Sequence, residues 1–161
     1  MADILDKILK NASDFTLIVS LGDAAPELQE KYFNRFLEND LSQYHIGDLN
    51  KEVRKLHEDE ILNSTIANDS VLDVMWEDLS TESKSKYYGL YLQPDVSEYR
   101  VTQTWGDLDE RGQQEHMDKI LKRYENQQCG FNEYIWASTK EKVQSQYLNR
   151  FINAIRKNEK D

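Results

Sequence analysis

The 161-residue chain holds one cysteine, two prolines and six glycines. A lone thiol, Cys129, cannot close an internal disulfide and suits a reducing cytoplasm, which is the expected location. With so little proline and glycine there are few obligatory breaks in the backbone. No alternation of apolar and polar residues runs long enough to predict a strand. No segment approaches the ~20 consecutive apolar residues of a membrane span, so no membrane partner is expected. Met1-Ala2-Asp3-Ile4 has neither the basic region nor the apolar stretch of a secretion signal, and none is expected.

Chemistry-bearing motifs are equally scarce. His45, His57 and His116 are scattered, none opens a HExxH pair, and Cys129 stands alone, so neither a metal nor another cofactor is expected. There is no GxxxxGK[ST] loop and no GxGxxG turn. Carboxylate pairs such as Glu58 and Glu60 could serve acid–base chemistry. Among 30 acidic residues such pairs arise by chance, and the chain reads as a non-enzyme.

Basic residues are missing from one region in particular. Residues 1–80 carry 17 Asp and Glu against 7 Lys and Arg, whereas residues 81–161 carry 13 of each, so the whole formal charge of −10 falls in the first half. No Lys or Arg stands between Lys55 and Lys84, while Glu58, Asp59, Glu60, Asp69, Asp73, Glu77 and Asp78 are all negative. Such a field repels nucleic-acid phosphate and acidic lipid, and it speeds encounter with basic protein surfaces. These seven residues are the expected partner-binding set.

What the chain does have is a recurring aromatic pattern. Leu21, Trp76, Trp105 and Trp136 can be set at one common position. Eleven residues on stand Tyr32, Tyr87, His116 and Tyr147, and four further come Phe36, Tyr91, Ile120 and Phe151, each followed by Leu or Ile. Positions at this spacing share one helical face. The pattern predicts an all-α fold of degenerate helix–turn–helix hairpins, each closed by its Trp or Leu, with the aromatics in the core. The first spacing is longer than the others because a helix carrying Leu49, Val53, Leu56 and Ile61 reads as an insertion, capped by Asp48. Ser138 with Glu141 matches a capping box for the last helix. Cys129-Gly130 is expected to end the long helix before it, and Tyr44, Tyr88 and Tyr99 fall off the register and are expected at the surface. Residues 1–63 are expected to form an acidic N-terminal lobe with the first repeat, and 64–161 a C-terminal lobe with three.

Two resemblances bear on function. Trp76-x-x-Leu79-Ser80-x-Glu82-x-Lys84-x-x-Tyr87 resembles the Trp-to-Tyr portion of an HMG box, which would imply DNA bending. That family also needs a basic, proline-bearing N-terminal strand and cationic surroundings, and here the surroundings are acidic. In length, mass and acidity the whole chain resembles the Lon-protease inhibitors carried by T-even bacteriophages. That resemblance implies a phage-encoded protein that binds a bacterial ATP-dependent protease and blocks degradation, and it assigns no numbered residue. The leading expectation is therefore a non-enzymatic inhibitor of a larger host protein, with Lon as the partner. An acidic DNA mimic or other anti-host-defence interaction protein is the first alternative and an HMG-like nucleic-acid binder the second, and a homodimer is a further alternative partnership.

Overall fold

A computed structural model describes residues 2–126 and 130–159, and these form an all-α protein with no strand among them. The chain divides into two compact units, Met1–Leu79 and Ser80–Asp161, so the division follows Leu79 and not the expected 63/64. The first unit contains α1 (Ala2–Asn11), α2 (Asp14–Leu21), α3 (Pro26–Lys31), α4 (Phe33–Leu37), α5 (Lys51–Leu56), α6 (Glu58–Leu62) and α7 (Asp69–Met75). Tight 3-10 turns cover Asp40–Tyr44, Ile46–Asp48 and Trp76–Asp78. The second contains α8 (Thr81–Tyr87), a 3-10 turn at Tyr88–Leu92, α9 (Glu98–Trp105), α10 (Glu110–Glu125), α11 (Glu133–Ser138) and α12 (Glu141–Glu159). The expected helix stop at Cys129 lies outside the described residues.

One local geometry recurs. The carbonyls of Leu21, Ile46, Trp76, Trp105 and Trp136 each accept a hydrogen bond from the N–H three residues on, at 3.0, 3.2, 3.2, 3.2 and 3.1 Å. The donors, Ala24, Leu49, Leu79, Leu108 and Thr139, are all buried. Ile46 lies in the segment whose spacing suggests an insertion, yet its turn has the same bond and the same buried residues. It escapes an aromatic search because isoleucine fills the position that tryptophan fills elsewhere. Leu21, Ile46, Trp76 and Trp105 are buried, and half-buried Trp136 packs edge-on against Phe151 with ring centroids 4.5 Å apart.

The caps differ from expectation in two places. Asn50, not Asp48, starts α5, its side chain accepting from the Glu52 N–H at 2.9 Å. Asp48 instead meets His45 at 2.8 Å. Ser138 is the last residue of α11, where its hydroxyl donates to the Tyr134 carbonyl, and α12 begins only at Glu141, so Ser138 does not stand at the cap position of α12. The start of α12 is served from another helix, because the buried Gln113 accepts from the Lys140 N–H at 2.8 Å and its amide donates to the carbonyls of Trp105 and Ser138, both at 3.1 Å. Gln29 repeats the device in the first unit: its amide donates to Leu21 at 3.1 Å, and its oxygen accepts from the Asn50 N–H at 2.7 Å. Ser80 and Asp109 cap α8 and α10 through the N–H groups of Ser83 and Gly112, as side-chain oxygens at helix starts do.

Three helices break eleven residues after the turn. Tyr32, His57 and Tyr87 sit at φ, ψ of −101°, 8°; −110°, 20°; and −102°, 2°. The break resets the helical phase, so the following residue can also turn inward. Tyr88 is consequently buried, whereas Tyr44 and Tyr99 are exposed. The Tyr88 hydroxyl donates to the Val101 carbonyl at 2.9 Å, and its ring meets Tyr91, Trp105 and His116. Burial holds its phenol neutral, with its pKa pushed well above the ordinary tyrosine value.

Candidate partner-binding surface of the first unit

The expected acidic set is distributed over two packed helices and the turn that follows them. Glu58 is half-buried at the start of α6, and Asp59 and Glu60 are exposed there. On α7, Val71, Leu72 and Met75 face inward, which leaves Asp69 half-buried and Asp73 exposed on the other side. Glu77, four residues beyond Asp73, is exposed in the turn. α6 and α7 pack directly on one another, so six of the seven carboxylates lie on neighbouring elements. Asp78 departs from the set. It turns toward α5, 3.1 Å from Lys51 and 3.6 Å from Arg54, and its side chain is only 22% exposed.

Sequence reasoning missed these two cations because it looked for bases between Lys55 and Lys84, and the fold supplies them from just outside that window. It also missed the role of His57, which stacks on Phe33 with ring centroids 3.9 Å apart and planes 15° from parallel. One ring nitrogen lies 2.9 Å from Glu60 and the other 2.7 Å from Glu30. Burial alone would disfavour the imidazolium, but the bonds to Glu60 and Glu30 outweigh it and raise the His57 pKa above its usual 6.5. A histidine three residues before Glu60 was visible, while its second carboxylate, Glu30, is distant in sequence.

Other ion pairs in the unit join Lys31 to Asp6 at 2.7 Å and Arg35 to Asp14 at 2.8 Å. Pairing redistributes charge without removing the surplus: 7 Lys and Arg cannot balance 17 carboxylates. Even with His57 protonated, the first unit is strongly negative. The chemistry available here is attraction of cationic groups, by the local rows on α6 and α7 and by the field of the whole unit.

Among the described residues no three His, Cys, Asp or Glu side chains are grouped to hold a metal ion, and no helix is long and apolar enough to cross a membrane. His116, eleven residues after Trp105, is buried and hydrogen-bonds through Nε2 to the Ser85 carbonyl. No protein-family model matches the chain, and comparisons with curated proteins and with solved structures find no match.

Proposed function

We propose that this chain is a non-enzymatic protein inhibitor, whose acidic first unit docks on a basic surface of a larger host protein and holds it inactive. The observation that carries this reading is the surplus of carboxylates confined to that unit, with exposed members on α6, α7 and the following turn. A bacterial ATP-dependent protease, Lon, is the partner to test first, given the resemblance in size and acidity. The charged contact speeds association and is screened as the Debye length falls to ~3 Å at 1 M salt.

The test is the rate at which purified Lon degrades a labelled unfolded substrate with the chain added. Inhibition is expected, and the triple variant D69N/D73N/E77Q is expected to need about tenfold more protein for the same effect. Absence of inhibition would remove Lon as the partner. Equal potency of the triple variant would remove the acidic face from the mechanism.

A further inference from the structure

The first unit also carries an apolar surface that its own fold leaves open. α2 has the sequence Asp-Phe-Thr-Leu-Ile-Val-Ser-Leu, apolar on nearly every side. A helix of that kind is normally enclosed. Leu17, Ile18 and Leu21 are indeed buried, but Phe15 is 63% and Val19 46% exposed. α1 repeats the situation, with Leu9 buried while Ile4 is 64% and Ile8 55% exposed. Each exposed pair is spaced i, i+4 and so shares one side of its helix.

The two helices are held as neighbours. They pack together across a two-residue link, and Arg35 from α4 donates to the carbonyls of Leu9 and Ala12 and to the Asp14 carboxylate. On α1, Lys31 and Tyr32 engage Asp6, which helical geometry places on the side opposite Ile4 and Ile8. The inward side of α1 is therefore tied down and its outward apolar side is uncovered. Among the described residues most of the exposed large apolar side chains belong to this unit, which adds Leu41, Tyr44, Leu56 and Val74, whereas the second shows Tyr99, Tyr134 and Leu148. Charge surplus and open apolar surface thus coincide.

We infer that Ile4, Ile8, Phe15 and Val19 form a docking surface for a basic amphipathic helix of the partner. Exposed i, i+4 pairs on two packed helices offer apolar contacts of the kind an amphipathic helix uses to dock. The occupant's sign follows from the unit. A second copy would bring two bodies with the same surplus of ten negative charges together, while a Lys- and Arg-rich segment gains from that surplus. Of the charged residues of α1 and α2, Asp6 and Asp14 are paired with Lys31 and Arg35, and Lys7 and Lys10 are exposed, so the preference for a cation comes from the unit's field and not from the stripe's own margin. This inference deepens the inhibitor reading and names the chemistry of its partner.

The test titrates the full chain with a synthetic amphipathic Leu/Lys helical peptide and its Leu/Glu counterpart, by calorimetry at low and high salt. The Leu/Lys peptide is expected to bind and the Leu/Glu peptide not to. The variant I8N/F15N, altered only at exposed positions, is expected to weaken binding at least about tenfold, while Y99N on the second unit leaves it unchanged. Equal binding by I8N/F15N would overturn the docking surface. Concentration-dependent dimerisation of the unaltered chain, lost in I8N/F15N, would show that the occupant is a second copy. If I8N/F15N and the unaltered chain inhibit Lon equally while D69N/D73N/E77Q fails, the inhibitor reading stands and the stripe is not its contact. If the peptide binds through the stripe and Lon is not inhibited, the stripe survives and the Lon assignment fails.

Discussion

Replacing Gln113 with alanine tests the feature that organises the second unit. The side chain is completely buried and makes three hydrogen bonds to main-chain groups that belong to two different turns. Each such bond is worth about 1 kcal/mol net, and a buried group left unpaired costs about 1–3 kcal/mol. Removing the amide takes this partner from the Ser138 carbonyl and the Lys140 N–H, and one of two donors from the Trp105 carbonyl, which keeps its bond from Leu108. The lost methylene and amide volume adds about 1 kcal/mol. Gln113→Ala should therefore destabilise the second unit by about 3–4 kcal/mol, read as a lowered midpoint in urea denaturation followed by circular dichroism. Gln114→Ala is the matched control, since Gln114 bonds Gln146 at 2.7 Å at an exposed site, and it should cost at most about 0.5 kcal/mol. Gln113→Glu should be no better than alanine, because a carboxylate can accept from Lys140 but is set against two carbonyl oxygens. A Gln113→Ala midpoint indistinguishable from that of Gln114→Ala would refute the claim that this side chain joins the turns.

Three further outcomes are expected. His57 has a raised folded-state pKa, so its bonds to Glu30 and Glu60 stabilise the first unit fully below about pH 6.5 and the contribution is lost as pH rises through the folded value. Urea midpoints across that range should fall with pH for the unaltered chain and stay flatter for His57→Gln; parallel curves would sink the assignment. Gly112→Ala should destabilise despite alanine's better helix propensity, because an added Cβ would lie 2.0 Å from the Ser85 hydroxyl oxygen. Ser85→Ala should recover part of that loss, and no loss in the single variant would show that the helices can part there. Ser80→Ala removes the cap on α8 and should cost about 1 kcal/mol in thermal denaturation, with no change expected if the helix start is held by other groups.

The helical class was legible because apolar residues recur at the period of a helix face, and Trp76 and Trp105 lie buried as that spacing requires. The turn at Ile46 was hidden because its defining bond runs between main-chain groups, which any apolar side chain can accompany. Ser138 and Glu141 match a capping box in spacing alone. Its geometry fails because α11 extends through Ser138 and its hydroxyl turns back to Tyr134. Tyr88 was misplaced since a register counted along one continuous helix cannot foresee the break at Tyr87. The surplus of acid was plain from composition. Its local form was not, because Lys51 and Arg54 reach Asp78 through the fold.

The indole of Trp105 is sealed from solvent and donates its N–H to the Thr139 hydroxyl at 2.9 Å. Trp136 is half-buried, and Trp76 is the sole tryptophan of the first unit. The chain therefore carries its own optical reporters: Trp76 alone for one unit, and for the other a shielded, blue-emitting Trp105 beside a wetter Trp136. Singly retained tryptophans would let the melting of each unit be watched by its own light.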